Sequence, residues 1–370
     1  MDRRIGSGAP PARERRLVMT IWIGMVIAVL FVALTDRARS SMLLRGDFPG
    51  FYAPAVILAN GQNDRLYDLE LQREVENRYW PRDEGQFFIS AYPPFVARVL
   101  QPLSLLTPDT AKFTATALLF LCYVSAIVVA GWSDLTLRTR RSPELLYCLL
   151  LAPVAVGVLA AQNTAVSLLL ICVALDQLRR PGVRHELVAG AALALWLFKP
   201  QFGLPSLFLV GICARRWGVL IGAIPIVAMY WLIGASVLGP NWLAEWVSAA
   251  RSFGDANFGV NGHQMVSCIG GFHALAPFLD VSVENARTVG GGVALCLFGA
   301  YALRLWVSRD RVTEHLVLLG PVVAICTPQT LFYDLGFCLP AFLSALPQDA
   351  RSRRIVFGVT SVLCGLALAA

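Results

Sequence analysis

The sequence predicts an all-α polytopic membrane protein, and two observations lead to that prediction. Only 15% of the 370 residues are charged, whereas soluble domains carry roughly a quarter. Hydrophobic residues make up 56% of the chain and recur in runs of about 20, the length that crosses a bilayer as a helix. We therefore expect one helical bundle of about 11 spans, within a range of roughly 10 to 13.

Charge and cysteine usage exclude other classes. The net charge of +7 comes from short arginine clusters between apolar runs, which indicate cytoplasmic loops rather than a nucleic-acid partner. The nine cysteines lie singly, mostly in apolar runs, without a CxxC pair. We therefore predict no disulfide, metal site or cofactor.

Residues 1–16 are predicted to be a basic cytoplasmic tail, and residues 17–370 a single membrane-embedded domain. The apolar run 17–34 is longer than the apolar core of a signal peptide, so we interpret it as a retained first span. Two large outer loops follow from this orientation, residues 35–110 and residues 239–287.

The first outer loop is expected to hold short helices along the interface. One runs from Phe51 to Asn60 and a second starts at Leu66-Tyr67-Asp68, and both are too short to span. The segment Phe95 to Leu106 is also short, and a crossing there would place later arginine clusters outside. We predict that it is juxtamembrane or re-entrant.

The other spans then alternate with every arginine cluster inside. They are predicted at residues 111–130, 145–160, 164–178, 187–198, 202–213, 217–238, 288–307, 315–327, 335–346 and 355–370.

This topology collects polar residues at the outer ends of the spans, where buried ionisable groups mark a functional cavity. They are Asp47, Tyr52, Tyr92, Gln162, Asn163, Lys199, Gln201, Gln329, Tyr333 and Asp334.

Asp47 lies in a turn built from Gly46, Pro49 and Gly50, residues that favour turns through their backbone geometry. One interpretation is that its carboxylate only caps the following helix. The other is that it meets a polar substrate at the bilayer surface.

The remaining polar positions also carry two interpretations each. Lys199 either serves as a point charge for a phosphate or snorkels to lipid headgroups. Gln162-Asn163 is either a tight loop or part of a site. Asp334 either caps a helix start or pairs with Lys199. His263, in the second outer loop, is either structural or a site residue.

Taken together, the motifs Gly46-Asp47-Phe48 with Tyr52, Leu66-Tyr67-Asp68, Tyr92-Pro93-Pro94, Gln162-Asn163, Lys199-Pro200-Gln201, and Thr327-Pro328 with Tyr333-Asp334 resemble glycosyltransferase family 87. This family is a branch of the membrane-embedded GT-C superfamily and includes polyprenyl-phosphate-mannose-dependent α-mannosyltransferases. The resemblance implies a GT-C-like helical bundle in a bacterial cytoplasmic membrane, with its site facing the periplasm.

The resemblance further implies inverting transfer of a sugar from a polyprenyl-phosphate-linked donor to a lipid or glycan acceptor. It assigns Asp47 as the catalytic base. Donor or phosphate binding is expected at Lys199, Gln201 and Tyr92, and acceptor or sugar binding at Tyr52, Gln162, Asn163, Tyr333, Asp334 and His263. Membrane lipids are further partners, and no metal is implied.

One departure from the family leaves the sugar open. Characterised mannosyltransferases of the family carry a histidine near the last outer turn, where this chain has Tyr333-Asp334. Two alternatives also stay open, a transporter or flippase of lipid-linked sugars and a GT-C relative with another reaction. A transporter would distribute its polar groups towards the membrane midplane.

Overall fold

The computed structural model describes residues 46–81, 88–132, 157–158, 160–262, 265–308 and 311–345. These ranges fold into helices, with one isolated β-bridge between Met265 and Leu331. The α-helices are α1 Phe48–Ala59, α2 Leu69–Tyr79, α3 Pro94–Leu100, α4 Pro108–Trp132, α5 Thr164–Leu178, α6 Val183–Leu195, α7 Pro200–Leu207, α8 Trp217–Leu238, α9 Trp242–Asn261, α10 Cys268–Leu279, α11 Val283–Val307, α12 Val312–His315, α13 Leu319–Cys326 and α14 Leu339–Ala345.

Three helices of the described residues are long and apolar enough to cross a membrane, Pro108–Ala130 within α4, α8, and α11. The all-helical prediction is therefore confirmed, whereas the count of about 11 spans stays a prediction. The predicted spans 17–34 and 355–370, and most of 145–160, lie outside the described residues. Other predicted spans form helices shorter than 18 residues.

Several of these shorter helices are broken, and the breaks have local causes. After α6 the chain makes a 3₁₀ turn, Trp196–Phe198, and Lys199 then precedes Pro200, which has no backbone N–H and starts a new helix. The segment Phe332–Cys338 is likewise a 3₁₀ helix that leads into α14. Lys199 and Asp334 thus both lie where a regular helix is interrupted.

The main hydrophobic core surrounds α5, which packs against α4 and α6. Leu168, Ile171 and Leu175 of α5 are almost completely buried. Because α5 is covered on most sides, the residues at its first turn are held inside the protein. This central position fixes the polar segment that precedes α5.

The predicted first outer loop contains compact helical structure. The helix predicted from Phe51 to Asn60 is α1, which starts three residues earlier, at Phe48, and ends before Gly61. Asp68 caps α2. The segment Phe95 to Leu106 forms α3 and a 3₁₀ helix, Gln101–Leu105, neither long enough to span.

The predicted second outer loop also contains helices, α9 and α10. The segment between α9 and α10 is hydrogen-bonded to the residues just before Tyr333, since the Val266 N–H donates to the Thr330 carbonyl at 2.8 Å. The Ser267 hydroxyl donates to the Pro328 carbonyl at 2.9 Å. These bonds therefore hold in place the turn that leads into the 3₁₀ helix of Tyr333 and Asp334.

Candidate functional site

The site is built around the turn that leads into α5. The Gln162 N–H donates to the Gly157 carbonyl at 2.7 Å and the Ala161 N–H to the Val158 carbonyl at 3.0 Å. This pair of bonds is the Schellman pattern that ends a helix, and Ala161 takes the left-handed position at φ 52° that glycine usually fills. Gln162, Asn163 and Thr164 follow directly.

Asp47 is fixed to this turn by its backbone. Its N–H donates to the Ala160 carbonyl at 3.1 Å. The preceding Gly46 has φ 49°, and a Cβ there would lie 2.2 Å from the same carbonyl oxygen. Only glycine therefore fits at position 46, and it sets the place of Asp47.

The Asp47 side chain is not used as a helix cap. It occupies the N-cap position of α1 but makes no capping hydrogen bond. Instead its Oδ2 accepts a hydrogen bond from Gln162 Nε2 and a weak one, at 3.4 Å, from the Tyr333 hydroxyl. The carboxylate thus points towards α5 and the Tyr333 turn.

Lys199 and Asp334 form a buried ion pair beside Asp47. Lys199 Nζ lies 2.6 Å from Asp334 Oδ1, and each side chain is only 5% exposed. Asp334 also accepts from the Thr164 hydroxyl at 3.1 Å and from the Leu331 N–H at 3.3 Å. Asp334 therefore both caps its own helix and pairs with the lysine, and Lys199 does not extend to the surface.

Aromatic residues line this pair. Lys199 Nζ lies 5.8 Å from the centre of the Tyr333 ring and 5.7 Å from that of Phe202, within the range of a cation–π contact. The Tyr92 ring packs at a tilt against Phe51, with the ring centres 5.1 Å apart, and its phenol interacts electrostatically with Lys199, Asp334 and Asp47. Tyr92 thus belongs to the same cluster.

The structure does not bring every predicted site residue to the cluster. The Tyr52 hydroxyl donates to the Leu106 carbonyl at 3.1 Å, and its ring packs among Phe48, Tyr79 and Trp80. No hydrogen bond among the described residues joins Gln201 to the cluster, although it lies in the first turn of α7. His263 lies outside the described residues.

The surroundings of Asp47 raise the pKa of its carboxyl group. Desolvation raises the pKa of Asp47, while the Gln162 hydrogen bond and the Lys199 charge lower it less. Two carboxylates share the cluster with a single lysine, so one excess negative charge remains when both acids are ionised. A carboxyl group with a raised pKa takes up a proton more readily than an ordinary aspartate does, which is a property of general bases.

Several buried polar atoms near the cluster have no hydrogen-bond partner in the described ranges. They are Gln162 Oε1, Asn163 Oδ1 and the Tyr123 hydroxyl. A native protein rarely leaves such atoms unsatisfied, so a polar ligand or water is expected to meet them. The sequence analysis missed Tyr123 and Thr164, because both sit within or beside apolar runs that give no separate signal.

An apolar groove of about 360 Å³ adjoins the cluster. Phe48, Ala161 and Asn163 line it where it approaches Asp47 and Gln162. Val99 and Leu118, 65% and 56% exposed, line it on the helices α3 and α4. The groove is lined almost wholly by apolar side chains, and its volume is typical of ligand pockets.

No group of three or more histidine, cysteine or carboxylate side chains suited to a metal ion occurs among the described residues. The polar groups of the cluster around Asp47 are two carboxylates, one ammonium group, amides and phenols. Such groups transfer protons and bind oxygen atoms of a substrate.

Comparison with protein families identifies a relationship over most of the chain. The model of glycosyltransferase family 87 matches residues 88–328, more than half of the chain. Tyr92, Gln162, Asn163, Lys199 and Gln201 lie inside the matched range, while Asp47, Tyr333 and Asp334 lie outside it. No curated protein and no solved structure matches the chain. The chain therefore belongs to glycosyltransferase family 87, and its apolar helices identify it as a membrane glycosyltransferase.

Proposed function

We propose that the protein transfers a sugar from a polyprenyl-phosphate-linked donor to a hydroxyl of a lipid or glycan acceptor, with inversion, and that Asp47 is the general base. The main support is one juxtaposition. A buried cluster of charged groups lies at the end of an apolar groove, so a ligand with a long apolar part and a charged end fits both.

The hydrogen bonds of Asp47 support its role as the base of an inverting transfer. An inverting transfer needs one carboxylate to take the proton of the acceptor hydroxyl as that oxygen attacks the anomeric carbon. Both hydrogen bonds to Asp47 fall on Oδ2, which leaves Oδ1 for the acceptor. The bond from the anomeric carbon to the donor phosphate breaks, and the lipid phosphate leaves with the bonding electrons.

Lys199 is the cation for the leaving phosphate. Its ammonium group has three N–H donors, and the Asp334 contact uses one of them. The others can meet phosphate oxygens as negative charge develops, which stabilises the transition state. Tyr92 supplies a phenol that interacts electrostatically with Lys199.

The apolar groove binds the polyprenyl chain of the donor. It lies between α3, α4 and α5, and the exposed side chains of Val99 and Leu118 line its outer parts. Burial of isoprenoid methyl and methylene groups there is favourable, by about 0.8 kcal/mol per methylene. Asn163 lies where the groove reaches the polar cluster, near the expected position of the phosphate.

The sugar and acceptor contact the unpartnered polar atoms. Gln162 Oε1 and Asn163 Oδ1 can each accept a hydrogen bond from a sugar hydroxyl. Mannose is the sugar that the family resemblance favours, and the site is proposed to face the periplasm of a bacterial cytoplasmic membrane. The alternative is a transporter or flippase of lipid-linked sugars, which would use the same groove.

The test is transfer of radiolabelled sugar by the purified protein and its Asp47→Asn variant. Polyprenyl-phosphate-linked mannose, glucose, galactose and arabinose are offered in parallel with total membrane lipids and glycans as acceptors. Transfer from one donor that disappears in the variant supports the proposal and names the sugar. Lack of transfer from every donor, together with intact donor binding by both proteins, favours the flippase.

A further inference from the structure

Three consecutive polar residues at the start of α5 reach different partners. Gln162 bonds Asp47, Thr164 bonds Asp334, and Asn163 between them lines the groove. Gln162 and Thr164 are at most 1% exposed. One short turn therefore touches the proposed base, the lysine's partner and the lipid groove.

Gln162 determines which oxygen of Asp47 is available. Its amide donates to Oδ2, the same oxygen that accepts the weaker bond from Tyr333. Because Gln162 itself follows the Schellman turn at Ala161, its backbone is rigidly placed. Asp47 is thus tied to this turn twice, through its N–H and through its carboxylate.

Thr164 does for Asp334 what Gln162 does for Asp47. Its hydroxyl donates to Asp334 Oδ1 at 3.1 Å, and Lys199 Nζ approaches the same oxygen at 2.6 Å. Thr164 is in the first turn of α5 and is completely buried. The lysine is therefore placed through Asp334, whose own position depends on Thr164.

We propose that Gln162 and Thr164 are positioning residues that set the separation between the base and the cation, Gln162 through Asp47 and Thr164 through Asp334. This proposal rests on the proposed function. It assigns separate effects to two residues that are two positions apart in the sequence. A merely structural turn would affect both steps together.

Gln162→Leu tests the first half. The loss of the amide donor is expected to lower kcat about 10- to 100-fold, the size expected for a hydrogen bond to a charged group. The KM of the donor should rise by a smaller factor than kcat falls, because Asn163 Oδ1 still accepts from the sugar when Gln162 Oε1 is lost. The acidic limb of the pH–rate profile should move to higher pH, because the lost hydrogen bond lowers the pKa of Asp47.

Thr164→Val tests the second half, since valine has the shape of threonine without the hydroxyl. The KM of the polyprenyl-phosphate donor is expected to rise about 3- to 10-fold, because the partner of Lys199 is less well held. The acidic limb should stay in place. Thr164→Ser keeps the hydroxyl and is expected to restore most of the donor affinity.

Matched controls remove the same groups elsewhere. Gln177→Leu removes an amide that bonds Asp176 and His185, and Thr114→Val removes a hydroxyl of α4. Both should keep wild-type kinetics. If Gln162→Leu does not fold, Gln162→Glu serves instead, and its added carboxyl should also move the acidic limb to higher pH.

The outcomes separate this proposal from the proposed function. A wild-type protein that transfers sugar from no donor overturns the proposed function and, with it, the positioning roles. An active wild type whose Gln162→Leu and Thr164→Val variants keep its kcat, KM and pH profile overturns only the positioning roles. Equal losses of kcat in both variants, without a pH shift or a change in donor KM, also overturn them.

Discussion

Two aspartates precede two consecutive helices, and the structure uses them in opposite ways. Asp68 caps α2, where its Oδ1 accepts from the Glu70 and Leu71 N–H groups at 3.1 Å and its Oδ2 from Arg65. Asp47 stands at the same position before α1 and caps nothing. Its carboxylate instead reaches Gln162, which is 115 positions away in the sequence.

The difference comes from what surrounds each turn. Asp68 is exposed, so the backbone N–H groups of its own helix are the best partners that it has. The Asp47 turn is docked on the Ala160 carbonyl, next to the buried start of α5. Asp47 thus gives up its local cap for distant, buried partners, which is consistent with the role of base proposed for it.

The largest expected effect separates the two aspartates by activity. Asp47→Asn keeps the shape of the side chain but removes the base, so we expect kcat to fall about 10²- to 10⁴-fold. Asp68→Ala should keep nearly full transfer and lower the melting temperature, because two N–H groups lose their acceptor. Transfer assays and thermal unfolding in detergent measure both.

The opposite result for the two variants would contradict the different roles given to Asp47 and Asp68. A strong loss of transfer in Asp68→Ala at unchanged melting temperature would place chemistry at the first turn of α2. An Asp47→Asn variant with wild-type turnover would remove the general base from the proposal.

The second effect concerns two ion pairs, the buried pair of Lys199 and Asp334 next to Asp47 and the more exposed pair of Arg65 and Asp68. Lys199→Met leaves Asp334 charged, buried and without its cation, so we expect a loss of about 3–5 kcal/mol of folding stability. The double variant Lys199→Met with Asp334→Leu should regain much of that stability without regaining transfer. Thermal unfolding and transfer assays on the three proteins test this.

The matched control is the more exposed ion pair that Asp68 forms with Arg65. Arg65 and Asp68 are 2.7 Å apart, but their side chains are 47% and 33% exposed, so solvent screens the interaction. Arg65→Met should shift the melting temperature far less than Lys199→Met does. Equal shifts would show that burial does not distinguish the two pairs.

The sequence predicts the helical class and the local elements well, because these depend on nearby residues. The helix after Asp47, the start of α2 at Asp68 and the short segment near Pro94 all appear near their predicted positions. The break at Lys199-Pro200 also lies between two predicted spans, 187–198 and 202–213. The 3₁₀ helix Phe332–Cys338 was not predicted, because composition does not distinguish it from the start of an α-helix.

The cluster itself is a tertiary feature, which spacing cannot give. The sequence left open whether Asp334 caps a helix start or pairs with Lys199, and in the structure it does both. Tyr52 was grouped with the site from the predicted topology and the family resemblance, yet α1 turns that phenol towards Leu106. Thr164 gave no signal because its partner lies 170 positions away.

The third effect compares the glycines at the two ends of α1. Gly46→Ala is expected to destabilise the protein by more than the roughly 1–2 kcal/mol of a left-handed alanine, because the new Cβ would also overlap the Ala160 carbonyl. Gly61 has φ 74° but open space around it, so Gly61→Ala costs only the conformational strain of a left-handed alanine. Thermal unfolding ranks the two.

Transfer should follow the same order. Gly46→Ala displaces Asp47 from Gln162, whereas Gly61 lies at the far end of α1. A Gly46→Ala protein with normal stability and turnover would show that the docked turn is not needed to place the base.

The smallest effect is a difference in pH dependence between the two aspartates. Desolvation raises the pKa of Asp47, so transfer should fall, as pH is lowered, at a higher pH than an ordinary aspartate would give. The backbone N–H of Leu71, with Arg65, lowers the pKa of Asp68. The stability that Asp68 contributes is present above the ordinary aspartate pKa and is lost only as pH falls through its lowered value.

Asp47 acts on stability in the opposite sense. Its raised pKa means that its contribution is fully present below the ordinary aspartate pKa and is lost as pH rises through the folded value. Acidification should therefore stop transfer while the helices stay folded, and raising the pH should restore it. Transfer rates and circular dichroism over one acid titration measure the two events, and their coincidence would contradict the distinction, because loss of the fold rather than protonation of Asp47 would then explain the inactivation.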